Sequence, residues 1–298
     1  MRVQRVTRVN TVLYISYGNG LHEQEVIFSL LSALRWTGSE PTDLRFLVLT
    51  DHPETFDRLP ATIEYISPER WSEWAGPACF NHRCKILALQ YAVSMFGQPT
   101  VLIDGDTWFR RSPRELFARI APGRTLMHIR EARIADIKSP QGKQLNTFLR
   151  CEQFNWAGAP DGRISCDRFL WNAGVVGLHP SDATLLDEVL SLTDNFCSQG
   201  SLHILEQLAF SLVLAERTSL TEAADIVFHY WPPYLHEPFR SVLPRLVTAT
   251  FELPMAKRIA VYHRHRPRPT FSRRLKVLAK RCLQAVHLVP QGSRSNEW

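Results

Sequence analysis

Two aspartates separated by one glycine, Asp104-Gly105-Asp106, directly follow an apolar and β-branched run at 100–103. Such a run is typical of a buried central strand, and open α/β sheets bind ligands just beyond the carboxyl ends of their strands. Two carboxylates this close can bind one divalent cation, Mg²⁺ or Mn²⁺, which commonly carries a diphosphate as co-ligand. That cation would neutralise charge growing on a departing nucleotide diphosphate. The alternative is a simple turn, because Asp and Gly are favoured turn residues.

Strand-like and helix-like segments alternate along the chain, which is typical of a mostly parallel sheet covered by helices. The pattern predicts strands at 9–17, 44–50, 63–66, 100–104, 125–128, 173–178, 226–230 and 259–263. It predicts helices at 22–36, 81–96, 113–120, 181–193, 201–216 and 272–287. Residues 130–170 are predicted to be an irregular insertion, and a Pro-rich connector separates the last two strands. We therefore expect one α/β domain over 1–270, with a mixed, mostly parallel central sheet flanked by helices.

Composition narrows the class of protein. The chain has 298 residues, of which 45% are hydrophobic, enough to bury a sizeable core. Its six cysteines form no CxxC pair or zinc-finger spacing, so we expect reduced thiols in a cytoplasmic protein. No apolar run reaches transmembrane length. The formal net charge of +6 is modest, and no nucleic-acid-binding motif accompanies it, so we expect no nucleic-acid partner.

Three segments together resemble a known enzyme family. The run VLIDGDTWFRRSP at 101–113 resembles the DxD segment of GT-A glycosyltransferases. The run WNAGVV at 171–176 resembles the NAG strand of glycosyltransferase family 8 and its relatives, and Glu206-Gln207 resembles the DQ or EQ pair that follows it. Their order and spacing match the family pattern over residues 9–265. The resemblance implies a GT-A-like fold and a metal-dependent glycosyltransferase that takes a sugar from a nucleotide-diphosphate donor, a UDP-sugar.

The resemblance also implies a metal ligand set. Asp106 would bind the metal directly, and Asp104 would contact the donor ribose or the metal through water. Family 8 enzymes complete the site with a histidine after a late strand, and both His229 and His263 follow predicted strands. We favour His263 because it follows the last one. Neither histidine precedes the Gly-Lys-Pro-Trp of the family, so retaining and inverting mechanisms both stay open.

Further roles follow from the same resemblance. Residues expected to line the sugar and acceptor site, or to hold hydroxyls of the transferred sugar, are Asn172, Ala173, Gly174, Glu206 and Gln207. Residues expected to border the nucleotide at the ends of the first two strands are Tyr14, Ser16, Tyr17 and Asp51. Lys85, with Arg83 beside it, would meet the diphosphate, because a positive group stabilises a departing phosphate. An inverting reaction would need a general base, for which Glu206 and Asp167 are candidates.

The C-terminal segment 271–298 is predicted to form a basic amphipathic helix and tail. Such a helix can lie on an anionic membrane surface, which would suit a lipid-linked acceptor at the inner face of the membrane. The alternative is a helix that packs on the domain with a solvated basic face. The resemblance implies a saccharide or a lipid-linked acceptor in a bacterial cell-surface polysaccharide pathway. Two other functions stay open: a sugar nucleotidyltransferase, although its Gly-rich phosphate loop is missing, and an inactive glycosyltransferase-like binding protein.

Overall fold

The structure, a computed structural model, describes residues 9–18 and 20–267. The strands are β1 (Asn10–Ser16), β2 (Leu44–Thr50), β3 (Thr62–Tyr65), β4 (Thr100–Ile103), β5 (Thr107–Phe109), β6 (Arg124–Arg133), β7 (Phe169–Leu178), β8 (Ser219–Glu222) and β9 (Val227–His229). The α-helices are α1 (Gly20–Thr37), α2 (Pro68–Ala75), α3 (Arg83–Phe96), α4 (Arg114–Phe117), α5 (Pro140–Cys151), α6 (Leu185–Gln199), α7 (Leu205–Arg217), α8 (Pro233–Arg240), α9 (Leu243–Thr250) and α10 (Met255–Arg264).

The central sheet of the described residues has seven strands in the order β3-β2-β1-β4-β7-β6-β8. The first four are mutually parallel, β7 runs antiparallel to both of its neighbours, and β8 is parallel to β6. Helices cover both faces, so central strands are apolar on both sides. In β1, Val12 and Tyr14 pack on the face covered by α1, and Leu13 packs on the face covered by α3. The expected mixed, mostly parallel sheet flanked by helices is confirmed.

A second, two-stranded sheet determines where the late part of the chain meets the end of β4. Strand β5 follows the Asp-Gly-Asp turn and pairs antiparallel with β9, with Thr107 opposite His229. The amide of Tyr230 donates to the carbonyl of Asp106 at 3.0 Å. The hydroxyl of Thr107 donates to the carbonyl of Asp104 at 2.8 Å and fixes the turn from inside. The small sheet therefore places His229 beside the aspartates.

Three predicted elements are wrong. Residues 259–263 belong to helix α10, where Arg258 and Tyr262 are the buried positions, one helical turn apart. The supposed insertion at 130–170 contains the end of β6 and helix α5, which starts at the N-cap Ser139 with Pro140 in its first turn. The supposed Pro-rich connector contains α8 and α9. Pro233 and Pro244 stand in first helical turns, where proline is tolerated, and Pro238 lies inside α8. The predicted helix at 272–287 and the segment 271–298 lie outside the described residues.

Two further expectations concern the whole chain. Each cysteine that the structure describes is a free thiol. Over residues 9–18 and 20–267, the helices are too short or too polar to pass through a bilayer.

Candidate functional site

The site is centred on three side chains at the carboxyl end of β4. Asp104 and Asp106 follow that strand, and His229 is the last residue of β9. One ligand atom from each lies within 4.8 Å of the other two, so the group can hold a metal ion. The Nε2 atom of His229 lies 3.0 Å from Oδ1 of Asp106. The imidazole is only 6% exposed and Asp106 only 19% exposed, so water screens this pair weakly.

Gly105 allows the turn to approach helix α1. A Cβ atom added there would lie 3.2 Å from Cγ2 of Val26 and 3.3 Å from Cβ of Glu25, closer than ordinary packing. The absence of a side chain thus allows the turn itself to lie directly against Glu25 and Val26 of α1.

Asn172 on β7 fixes the orientation and tautomer of His229. Its Oδ1 atom accepts the backbone amide of Gly174 at 2.9 Å, which identifies this atom as the amide oxygen, and it lies 2.8 Å from Nδ1 of His229. Because Oδ1 can only accept, Nδ1 carries a proton and donates it. In the neutral ring, the Nε2 lone pair then points at a carboxylate oxygen of Asp106. Two acceptors facing each other need a cation or a second proton between them.

That chemistry fits a divalent metal. Imidazole and carboxylate ligands together suit Mn²⁺ and other divalent first-row metal ions. A ligating histidine usually donates its other N–H to a fixed acceptor. Without a metal, a second proton between the two groups would serve the same purpose: burial alone would lower the pKa of His229, but the charge and hydrogen bond of Asp106 outweigh burial and raise it. Burial would raise the pKa of Asp106, and His229 holds it far below its usual range instead.

An irregularity in β7 makes room for the imidazole. Pairing with β6 passes from Asn172 opposite Ile129 to Val176 opposite Met127, so the intervening residues 173–175 stand opposite His128 alone. Bulges of this kind re-aim side chains next to active sites. A Cβ atom added to Gly174 would overlap the ring of His229. Glycine at this position is therefore required for His229 to reach the aspartates.

Lys85 brings a positive charge to the same place from helix α3. Its Nζ atom donates to Oδ2 of Asp104 at 2.7 Å and lies 3.7 Å from Oε1 of Glu206. Burial would lower the pKa of Lys85, but Asp104 and Glu206 outweigh it and raise the pKa, so the ammonium stays charged. Glu206 is 3% exposed, and its Oε2 atom has no hydrogen-bond partner among the described residues. A ligand with hydroxyl groups would satisfy this carboxylate oxygen.

Glu131 on β6 is a site residue that the sequence did not reveal. It is the extra residue between two pairs, Arg130 with Trp171 and Ala132 with Leu170, and so forms a bulge. Its carboxylate accepts hydrogen bonds from the side-chain amide nitrogens of Asn172 at 3.1 Å and Gln207 at 3.3 Å. Burial raises its pKa above the usual value. The only signal in the sequence is an acidic residue just past a predicted strand.

The residues predicted to border a nucleotide are scattered. Tyr14 is fully buried and hydrogen-bonded to Ser29 at 3.0 Å, so the prediction that it contacts a ligand is wrong. Ser16 is 1% exposed, which excludes the same role in this conformation. Tyr17 stacks on Trp71, with ring centroids 4.3 Å apart. Asp51 accepts the amide of residue 18 at 3.1 Å and so holds the loop after β1.

Two predicted basic or ligating residues lie away from Asp104, Asp106 and His229, which we call the metal group. Arg83 forms a bidentate ion pair with Asp194, at 2.6 and 3.0 Å, so its charge is already matched. His263 lies on α10 and contacts Arg35 and Arg266 instead of a carboxylate. The preference for His263 as metal ligand is therefore wrong, and the alternative, His229, is the histidine beside Asp106.

One cavity of about 1390 Å³ joins these groups. Its wall includes the metal group together with Lys85, Glu131, Asn172, Glu206 and Gln207. Ala173 is buried, and Gly174 shapes the wall through the approach of His229. The predicted sugar-site residues Asn172, Glu206 and Gln207 are thus brought to one cavity with both aspartates.

No protein-family model matches the chain, and no curated protein matches it. Fold and site define a class: an α/β protein with a mostly parallel sheet and an Asp-Asp-His group able to hold a metal ion at the carboxyl end of a central strand.

The role of Asn172 can be tested by substitution. In Asn172→Leu the imidazole of His229 loses the acceptor that fixes its tautomer, so we expect affinity for Mn²⁺ to fall about 10- to 100-fold, the usual effect of losing such a partner. Titration followed by the electron paramagnetic resonance of free Mn²⁺ measures it. Asn146→Leu is the matched control, since Asn146 donates to the backbone carbonyls of Ile134 and Gly142 and does not itself line the cavity. Equal Mn²⁺ affinity in both variants would contradict the role of Asn172.

A buried ion pair connects helix α8, which follows His229 along the chain, to helix α1 behind Gly105. Glu25 is 3% exposed, and one of its oxygens lies 2.7 Å from Nε2 of His236 and 3.7 Å from Nε of Arg240. The other lies 3.5 Å from Nδ1 of His22. Burial would raise the pKa of Glu25, but the two histidines lower it; the hydrogen bond with Glu25 raises the pKa of His236 above 6.5.

The stability provided by this pair should depend on pH. Because the pKa of His236 is raised in the folded protein, its contribution is complete below pH 6.5 and is lost as pH rises through the folded pKa. Because the pKa of Glu25 is lowered below 4.5, protonation of this carboxylate breaks the ion pair, and its stabilisation is lost, as the pH falls through that lowered pKa. We expect His236→Gln to lower the free energy of unfolding by about 2 kcal/mol near pH 6 and by clearly less near pH 9. Urea unfolding at both pH values measures it, with His179→Gln as control; an equal loss at both would contradict the charged pair.

Proposed function

We propose that this chain is a GT-A-like glycosyltransferase that uses Mn²⁺ or Mg²⁺ to move a sugar from a UDP-sugar to a saccharide or lipid-linked acceptor. The observation that carries the proposal is the convergence of Asp104, Asp106 and His229 with the charged Lys85 at the carboxyl end of a central strand. Ligands of open α/β sheets bind at such strand ends. A divalent cation beside a buried lysine is a suitable partner for a diphosphate.

The metal group and Lys85 would both stabilise the negative charge of the leaving diphosphate. Asp106 and His229 would hold the cation, with Asp104 as the third ligand. The bound cation supplies electrostatic stabilisation to the departing diphosphate. In this structure Lys85 donates a hydrogen bond to Asp104. With a donor bound, its ammonium group would donate a further hydrogen bond to a phosphate oxygen. Its burial strengthens that interaction, because few water molecules compete for the charge.

Other residues of the cavity would hold the sugar. Glu131 and Glu206 offer carboxylate oxygens, and Asn172 and Gln207 offer amide groups, all within the same wall. Such groups hydrogen-bond sugar hydroxyls, and the carboxylates favour positive charge on the sugar ring as its bond to phosphate breaks. Glu131 is fixed by two amide donors, so it can hold a hydroxyl group without losing its orientation.

Nucleotide binding tests the proposal first. Calorimetry with UDP, GDP and ADP, each with and without Mn²⁺, should show binding of UDP that needs the metal. Incubation with UDP-sugars and Mn²⁺ should then transfer the sugar slowly to water or, faster, to an acceptor, with release of UDP in both cases. Formation of pyrophosphate from UTP and a sugar 1-phosphate would instead identify a nucleotidyltransferase. Metal-dependent UDP binding without any turnover would leave a glycosyltransferase-like binding protein, and no nucleotide binding would contradict the proposed site.

A further inference from the structure

The cavity is larger than one substrate requires. Ligand sites usually enclose about 300–1,000 Å³, whereas this cavity measures about 1390 Å³. If its inner part holds the donor sugar and diphosphate at the metal group, as the proposed function requires, the remainder can hold the acceptor. The chemistry of that remainder then indicates what kind of acceptor it is.

The outer part of the cavity lies along the continuation of β6 and β7. Pairing continues three residues past Asn172, to Phe169 opposite Arg133. This pair therefore lies about 10 Å along the strand from Asn172. Other cavity-lining residues outside the metal group come from the segment after β6 and from the neighbourhood of β5 and β9. Together with the pair just described, we call the following residues the outer wall: Arg110, Arg133, Lys138, Phe169, Phe228 and Trp231.

Among the residues that the structure describes, the cations of the outer wall have no acidic partner. The guanidinium of Arg110 lies 4.3 Å from the ring centre of Phe228, and that of Arg133 lies 5.8 Å from the ring centre of Phe169. Within the described residues, no carboxylate lies within ion-pair distance of Arg110, Arg133 or Lys138. The neighbouring Arg111, in contrast, pairs with Asp225 at 2.8 Å.

The acidic residues near the outer wall do not balance this charge. Asp225 lines the cavity but is held by both Arg111 and Arg119. Apart from the metal group, Glu206 and Asp225, the other carboxylates on the cavity wall among the described residues are Asp136 and Glu131, against three cations, and Glu131 is already held by the amides of Asn172 and Gln207. The outer wall therefore carries an excess of positive charge next to a group of carboxylates deeper in the same cavity.

The outer wall also presents exposed aromatic rings. Trp231 is 43% exposed and Phe169 is 36% exposed, and both line the cavity, so their rings present apolar surface to a ligand there. Flat rings pack well against the C–H face of a sugar, and ligand sites combine such apolar surface with a few polar groups. Aromatic rings beside unpaired guanidinium groups suit a ligand that has both a sugar ring and a negative charge.

We propose that the outer wall binds an acceptor saccharide that carries a negative charge, a carboxylate or a phosphate, held by Arg110, Arg133 and Lys138. The aromatic rings orient its sugar ring so that a hydroxyl points inward past Asn172 to the donor. Arginine matches both anions through paired N–H groups. A neutral acceptor would leave the three cations unmatched and would bind more weakly.

The test compares charged and neutral sugars as probes. Glucuronic acid and glucose 1-phosphate, with glucose as the neutral reference, are titrated by NMR into wild type and Arg110→Gln/Arg133→Gln. We expect both anions to bind at least about tenfold more tightly than glucose and to lose at least about tenfold in the double variant. Arg130→Gln is the matched control, because Arg130 lies 4.6 Å from the same Phe169 ring but does not line the cavity. Lys138→Gln alone serves if the double variant unfolds.

The same titrations with UDP and Mn²⁺ present separate the two proposals. An anion on the outer wall stays bound, whereas one bound at Lys85 is displaced. Equal affinity for glucose and the anions, or anion affinity unchanged in the double variant, would overturn the outer-wall proposal while leaving metal-dependent UDP binding intact. Absence of UDP binding would contradict the proposed function, and the double variant would still decide the anion site. A preference for one of the two probes identifies the carboxylate or the phosphate.

Discussion

Asp106→Asn is expected to abolish metal-dependent nucleotide binding. The substitution keeps the size of the side chain but removes the charge that faces Nε2 of His229 and contributes one of three ligands. Loss of residues that merely orient a ligand costs about 10- to 100-fold in metal affinity, so loss of a ligand itself should cost at least about 100-fold. Calorimetry with Mn²⁺ and with UDP plus Mn²⁺ measures both losses, and turnover of a UDP-sugar should fall with them.

Asp167→Asn is the control for this experiment. Asp167 was a candidate base on sequence grounds, but its carboxylate is exposed, contacts Ser165 and lies outside the cavity. We expect wild-type binding and turnover in this variant. Retained Mn²⁺ affinity in Asp106→Asn, or an equal loss in Asp167→Asn, would show that the aspartate pair is not the metal site.

Gly174→Ala should be nearly as damaging, although Gly174 offers no side chain to a ligand. The added methyl group would overlap the imidazole of His229, so the ring must move away from Asp106 or β7 must shift. Overpacking of this kind costs about 1–3 kcal/mol, and we expect Mn²⁺ affinity to fall at least about tenfold as well. Urea unfolding of the metal-free protein and Mn²⁺ titration measure the two effects.

A second substitution shows whether the clash is the cause. In Gly174→Ala/His229→Ala the ring is absent, so the methyl group meets no imidazole. We expect the double variant to lose less stability than the two single losses added together, since residues in contact are not additive, and to bind no Mn²⁺ at this site. Strict additivity of the two losses would mean that Gly174 matters for a reason other than His229.

Local patterns were sufficient to predict the core of the fold and the acidic pair. The apolar run at 100–103 followed by Asp-Gly-Asp is a strand and a turn determined by adjacent residues, and the structure places both as expected. Burial within the sheet is harder to interpret from a single strand. Tyr14 lies inside β1, opposite Val48 of β2. In the parallel part of a sheet covered on both faces, residues in the middle of a strand are buried, and those beyond its carboxyl end can reach a ligand.

The third ligand could not be chosen from the sequence because its position depends on long-range pairing. His229 reaches Asp106 across a separation of 123 residues through the pairing of β9 with β5. The choice of His263 rested on a strand at 259–263 that is in fact part of α10. Glu131 depends on a bulge, and a one-residue irregularity in strand register leaves no pattern in the sequence.

The most direct test of the account is a crystal structure of the protein with Mn²⁺ and UDP, with data collected to show manganese by anomalous scattering. We predict one manganese peak coordinated by Asp106, His229 and Asp104 or its water, with the diphosphate of UDP on the open side and Lys85 turned toward a phosphate oxygen. A manganese peak ligated by other residues, or UDP bound away from the carboxyl end of β4, would contradict the account.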